Sequence, residues 1–231
     1  NIVKIDSEDL EKGKVDKILS GADGILVPGG FGDRGIEGKI KAVQYARENK
    51  IPFFGICLGM QVATIEFARN ICKLKGANST EFDKETAHPL ISLLEEQKEV
   101  KVMGASMRLG AYACHIQKSS LSHQAYKKDT ISERHRHRYE FNNKYKKMLT
   151  QEGMIFSGTN EQHGLVEIIE LKNHPWFVAC QFHPEFKSKP DRAHPLFRCF
   201  VEASLKYGSA KSSDKSSGKL SKKSSEPVRP Y

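Results

Sequence analysis

The sequence predicts an α/β fold with a mostly parallel open sheet and helices on both faces. Three observations carry that expectation. Residues 22–72 alternate short apolar runs with amphipathic stretches, the pattern of successive βα units. Two further apolar runs, at 165–171 and 177–182, read as strands late in the chain. A length of 231 residues suits one domain with a sizeable core.

Asn1-Ile2-Val3-Lys4-Ile5 is a strand-like run with no initiating Met, as if cut from a longer chain, so a partner domain is expected upstream. Gly24-Ile25-Leu26-Val27 reads as a buried strand. Pro28-Gly29-Gly30-Phe31-Gly32 is too rich in glycine to continue it. Ile36, Ile40, Val43, Tyr45 and Ala46 then recur at helical spacing and place a helix ending near Asn49. The next strand is Pro52-Phe53-Phe54-Gly55-Ile56, and a helix runs from Leu58 to about Arg69, which leaves Cys57 in the turn between them.

Residues 76–150 are more polar and less periodic, and strands and insertion loops are expected there. They include Ala105-Ser106-Met107-Arg108-Leu109-Gly110 and Ser132-Glu133-Arg134-His135-Arg136-His137-Arg138-Tyr139. The strand at 177–182 leads into His183-Pro184-Glu185, and Leu196 to Tyr207 reads as a closing helix. Beyond it Ser, Lys and Gly dominate without apolar periodicity. Ordering that segment would cost more entropy than burial offsets, so the domain is expected to span 1–207 and 208–231 to be a disordered tail.

Composition narrows the class further. No run of about 18 apolar residues and no secretory leader pattern occurs, so a cytoplasmic protein without membrane contact is expected. Five scattered cysteines, Cys57, Cys72, Cys114, Cys180 and Cys199, include no CxxC pair and disfavour a disulfide scaffold or a zinc site. Of the formal charge of +9, the tail supplies +4, from six Lys/Arg against two Asp/Glu. The folded part is only mildly basic, and nucleic acid is not the expected partner.

A catalytic thiol needs a base, surroundings that favour its anion, and donors for the oxyanion that forms next. Gly55-Ile56-Cys57-Leu58-Gly59 has the Gly-x-nucleophile-x-Gly spacing of a nucleophile elbow, with a helix N-terminus beneath Cys57 and the Leu58 amide facing the developing charge. Alone, that spacing is a weaker signal than the alternative of a small core cysteine, since glycine is common and a buried cysteine usually just packs. The second element is Gln181-Phe182-His183-Pro184-Glu185. In a parallel sheet the strand carboxyl ends gather at one edge, so His183 could meet Cys57, with Glu185 orienting the imidazole. His135 and His137 sit among arginines and lack nearby Cys or Asp. No metal site is expected there, and the run reads as a charged strand edge.

Gly55-Ile56-Cys57-Leu58-Gly59-Met60-Gln61 together with Phe182-His183-Pro184-Glu185 resembles the class I, triad-type glutamine amidotransferases. Pro28-Gly29-Gly30-Phe31-Gly32-Asp33-Arg34-Gly35, Asn78-Ser79-Thr80-Glu81-Phe82, Met107-Arg108-Leu109-Gly110 and Glu133 to Glu140 look more closely like the glutaminase domain of the CTP synthase family. The resemblance covers residues 1 to about 207. It implies a flavodoxin-like fold with inserted strands and a lid loop. Cys57 would be the nucleophile, His183 the base and then the acid, and Glu185 the third triad member.

By the same resemblance, Gly30 and Leu58 would supply the oxyanion amides. Gly30, Phe31, Leu58, Gly59, Met60, Gln61, Glu81, Arg138 and Tyr139 would hold L-glutamine, with Arg134 and Arg136 as rivals to Arg138. Glu81 suits the substrate's α-ammonium. No cofactor is implied in this domain. ATP and Mg2+ belong to a synthetase domain absent from this chain, GTP is the activator, and a homotetramer is implied at full length. Arg34 and Arg108 are the GTP-responsive candidates, or ordinary solvated arginines. Two rival readings are the glutaminase of another amidotransferase and a non-catalytic module with an inert cysteine and a basic tail.

Overall fold

The structure is a computed structural model that describes residues 1–93 and 107–221. Ala105 and Ser106, from the segment read as strands and insertion loops, and the last ten residues of the expected tail lie outside the described residues.

The chain opens with two short helices, α1 (Ser7–Glu11) and α2 (Val15–Leu19). Two βα units follow: β1 (Ile25–Val27), α3 (Ile36–Glu48), β2 (Phe53–Ile56) and α4 (Leu58–Asn70). The middle holds β3 (Asn78–Ser79), β4 (Pro89–Leu93), β5 (Arg108–Ile116), α5 (Leu121–Tyr126), β6 (Thr130–His137), β7 (Tyr139–Phe141) and α6 (Lys146–Gln151). The chain then forms β8 (Met154–Asn160), β9 (Leu165–Leu171), β10 (Phe177–Cys180) and α7 (Pro195–Ser221).

Seven strands form the main sheet in the order β1-β2-β10-β9-β8-β5-β6. Pairs β1–β2 and β2–β10 are parallel, whereas β10–β9, β9–β8, β8–β5 and β5–β6 are antiparallel. The α/β class stands, but the sheet is mixed rather than mostly parallel. The reason lies in the connections: a parallel crossover takes a dozen or more residues, which α3 supplies between β1 and β2. Residues 161–164 and 172–176 are too short for one, so β8, β9 and β10 run antiparallel.

Helices cover both faces, as expected. Alternation along β2 divides the core in two: Phe53 stacks on Phe177 at 4.5 Å between centroids on the α3–α4 side, and Phe54 meets Phe197 at 5.4 Å and Phe200 at 5.9 Å on the α7 side. Residues Leu58 to Ala68 of α4 are all buried, because a second sheet, β3-β4-β7, packs on the helix opposite α3.

Two boundaries differ from expectation. Residues 1–5 form no strand and leave Ile2 and Val3 exposed. The closing helix runs past Tyr207 to Ser221 instead of giving way to disorder at 208. Gly208 packs against Asp23, Lys211 Nζ donates to the Ser20 carbonyl at 2.9 Å, and Ser209 and Ser212 bond back to carbonyls four residues earlier. No helix among the described residues is long and apolar enough to cross a membrane.

Candidate active site

Cys57 caps α4 with φ 50° and ψ −101°, a strained conformation for a residue with a side chain. Its neighbours hold it there. The Cys57 N–H donates to the Cys180 carbonyl at 2.7 Å, and the Cys57 carbonyl accepts from Met60 and Gln61 amides at 3.0 and 3.2 Å. Both glycines of the motif are sterically required. A Cβ on Gly55 would lie 2.8 Å from the Gly59 backbone, and one on Gly59 would strike the Val27 carbonyl. The elbow is therefore β2, β1 and α4 at backbone contact.

The glycine loop after β1 closes over the cysteine. A Cβ built on Gly29 would stand 3.6 Å from Cys57 Cβ and 2.9 Å from His183 Cε1, so the thiol and the imidazole flank one glycine. Gly30 is next, against Leu58, whose Cδ2 would be 3.0 Å from an added Cβ. Phe31 projects outward, 91% exposed.

His183 follows β10, the strand beside β2. Its N–H donates to the Arg134 carbonyl at 2.8 Å, its ring stacks on Phe186 at 4.9 Å, and its Nδ1 lies 2.6 Å from Glu185 Oε1. A carboxylate accepts, so Nδ1 donates to Glu185, while Nε2 is buried and makes no hydrogen bond among the described residues. Burial raises the Glu185 carboxyl, yet the hydrogen bond from His183, a backbone amide and the nearby His183 and His194 rings together outweigh it and hold the group below its ordinary range. Burial pushes the Cys57 thiol up to about 12, against a hydrogen bond from the Leu58 amide that pulls the other way. A buried thiol held in its protonated form thus lies near an imidazole whose Nδ1 is committed to Glu185, which suits proton transfer to the ring during attack rather than a standing thiolate.

The other expected residues lie on α4, just after β3 and at the β6–β7 corner. Leu58, Gly59, Met60 and Gln61 form the buried first turn of α4. Glu81 reaches the glycine loop, where its Oε1 accepts from the Gly32 amide at 3.0 Å. Gln61 Nε2 donates to the Tyr139 carbonyl at 3.3 Å. Arg138 lies half-buried between β6 and β7, and its charge and that of Glu81 both act on the Tyr139 phenol. Arg134 and Arg136 point outward on the exposed face of β6, so of the three arginines Arg138 shares the side of Tyr139 and Glu81.

Two expectations are corrected, the solvated reading of Arg108 and the charged edge at His135 and His137. Arg108 is not solvated. It is 7% exposed, forked between Glu140 Oε1 at 3.4 Å and Glu167 Oε1 at 2.5 Å, with its guanidinium 4.4 Å over the Tyr112 ring. Arg34 is exposed but engaged, with both Glu8 oxygens at 3.0 Å. His135 and His137 are not part of a charged edge, because β6 alternates and turns both rings inward. Burial and then Arg108 lower them to about 2 and about 3, so they are neutral and bonded ring to ring at 2.9 Å.

Sequence reading missed two participants. Gly29 separates the thiol from the imidazole, and Gln181 places its Nε2 3.6 Å from Cys57 Sγ. A signal for Gln181 was available, because it opens the Gln181-to-Glu185 run two residues before His183.

The family described as Glutamine amidotransferase class-I matches residues 1–203. CTP synthase of Carboxydothermus hydrogenoformans is 64% identical over 206 residues, covering 89% of this chain and 38% of that protein. CTP synthase of Caldanaerobacter subterraneus subsp. tengcongensis is 60% identical over 205 residues, again 38% of its length. The chain thus spans well under half the length of these curated relatives. Among solved structures, the glutaminase domain of Trypanosoma brucei CTPS with bound acivicin superposes with a TM-score of 0.83 at 43% identity, covering 89% of this chain and 81% of that one. A Thermoplasma acidophilum protein described as a GMP synthase component, 18% identical with a TM-score of 0.57, covers 86% of this chain and 81% of its own and shares the fold. The chain belongs to the class-I glutamine amidotransferases.

Proposed function

We propose that this chain hydrolyses L-glutamine to glutamate and ammonia through a thioester on Cys57. The observation that carries the reading is the placement of Cys57 and the His183 imidazole against the same glycine, Gly29, with Glu185 bonded to the ring's Nδ1. Cys57 Sγ attacks the side-chain amide carbon as His183 Nε2 takes the thiol proton. The oxyanion that forms faces the Gly30 and Leu58 amides. His183 returns its proton to the amide nitrogen, the C–N bond breaks, and ammonia leaves a glutamyl thioester. Water, deprotonated by His183, then cleaves the thioester to glutamate and restores the thiol. Glu185 stays ionised and steadies the imidazolium in both halves. Glu81 takes the substrate's α-ammonium, Arg138 its α-carboxylate, and Phe31, Gly59, Met60, Gln61 and Tyr139 complete the pocket.

The similarity to CTP synthases supports a wider role. In it the ammonia passes to a synthetase region that uses ATP and Mg2+ to convert UTP to CTP in the cytoplasm, within a homotetramer, and GTP stimulates glutamine hydrolysis. Ammonia release from glutamine, measured for the chain and for His183→Asn and Glu185→Gln, tests the first step. The proposal expects losses of about a thousandfold or more for His183→Asn. Undiminished release by His183→Asn would refute it.

A further inference from the structure

Gln181 has no part in the steps above, yet it touches the reacting atom. It is fully buried just beyond β10, with Nε2 3.6 Å from Cys57 Sγ and Oε1 3.4 Å from Gln61 Nε2. Gln61 Nε2 is also 3.3 Å from the Tyr139 carbonyl, which His137 Nδ1 approaches at 3.1 Å from another side. These contacts settle which way each amide faces. A backbone carbonyl only accepts, so Gln61 turns its NH2 group to Tyr139, and the same NH2 group meets the oxygen of Gln181. With its oxygen engaged, Gln181 presents its own NH2 group to the sulfur.

We infer that Gln181 is a further catalytic residue of this site: its side-chain N–H donates to Cys57 Sγ and favours the thiolate over the thiol, in an orientation imposed by Gln61 and the Tyr139 carbonyl. The inference rests on the glutaminase reading of Cys57. Its physical basis is the burial of the sulfur. Loss of water penalises the anion, pushing the thiol up to about 12, and a donor fixed in that dry surrounding acts on the charged form far more than on the neutral one. The Leu58 amide opposes the same penalty from the helix side. Gln181 supplies a second donor from the neighbouring strand, already aligned before substrate arrives, so its dipole need not reorganise during attack.

The test uses the full 231-residue chain and two readouts: glutamine turnover, and the rate at which iodoacetamide alkylates Cys57, followed by peptide mass spectrometry from about pH 6 to about pH 10. Gln181→Glu keeps the shape and sets an oxygen against the sulfur. The inference expects Cys57 labelling to fall about tenfold or more at every pH in that range, the change that a one-unit rise of a thiol lying above the range produces, with kcat reduced and KM little changed. A folded Gln181→Glu chain with the parent alkylation profile would overturn it. Should that variant not fold, Gln61→Met, which removes the orienting contact and leaves Gln181 in place, reads the same profile. Slower labelling supports the inference, and an unchanged profile overturns it. A parent chain that alkylates at Cys57 but never turns over glutamine sinks the glutaminase reading instead, and the alkylation profiles of the variants still decide the role of Gln181.

Discussion

The backbone N–H of His183 donates to the carbonyl of Arg134 at 2.8 Å, which ties the loop after β10 to the last strand of the sheet. The next side chain back along β6 reinforces that tie. Glu133, 1% exposed, has its Oε1 3.0 Å from Tyr126 Oη, 3.2 Å from His194 Nε2 and 3.6 Å from Lys187 Nζ. Lys187 stands two residues past Glu185 and also donates to the Ser132 carbonyl at 2.5 Å.

Removing Glu133 therefore strips the acceptor from three donors at once. Glu133→Ala is expected to destabilise the chain by about 3 kcal/mol in urea denaturation, and Glu133→Gln, which keeps one oxygen, by about half that. Equal stability of all three chains would show that the network carries no weight.

Gly29 and Gly59 test the elbow in different ways. A Cβ on Gly29 meets the tip of the His183 ring, a side chain that can shift, so Gly29→Ala is expected to fold while losing about a hundredfold in kcat/KM. A Cβ on Gly59 meets the Val27 backbone, which cannot give way, so Gly59→Ala is expected to lower the yield of folded protein itself. Circular dichroism beside turnover separates the two outcomes.

Buried Arg108 and exposed Arg34 should part company. Arg108→Met leaves Glu140 and Glu167 without their shared cation, and a loss of about 3–5 kcal/mol is expected. Arg34→Ala removes a solvent-screened pair with Glu8 and is expected to leave stability unchanged within error. A nucleotide effect seen on changing Arg108 would have to be corrected for that loss of stability before it spoke of binding.

His174 gives the pH dependence a clean sign. It is 8% exposed, bonded to the Ala46 carbonyl at 3.3 Å, and burial lowers it from 6.5 to about 4. Below 6.5 the unfolded chain takes up a proton that the folded chain refuses. The stability present above pH 6.5 is thus lost as pH falls toward 4, by up to about 1.4 kcal/mol per unit. Buried His135 and His137 add slope of the same sign, so His174→Gln is expected to reduce the slope between pH 6.5 and 4 by up to about 1.4 kcal/mol per unit rather than abolish it, and an unaltered slope would contradict the assignment.

How much of this was legible depended on how local the cause was. The β1–α3–β2–α4 run could be read because its apolar spacing lies within single elements, and the glycines around Cys57 announced a turn that only they can make. Strand direction was overread: apolar runs at 165–171 and 177–182 look like parallel strands, and only their short connection reveals the antiparallel pair. His135, His137 and Arg108 were misplaced because polar residues read as surface. Their burial depends on Glu140 and Glu167, carboxylates contributed by strands β7 and β9. Gln181 could be quoted as part of a motif, but its contact with Cys57 exists only once β10 lies beside β2.

The proposed chemistry stands or falls on the sulfur of Cys57. Acivicin, the compound bound in the Trypanosoma brucei relative, is the direct probe, with intact mass and peptide mapping as the readout. One adduct on the peptide carrying Cys57, slowed by L-glutamine and absent from Cys57→Ala, is the predicted result. An adduct that persists in Cys57→Ala, or maps to Cys180, would contradict it.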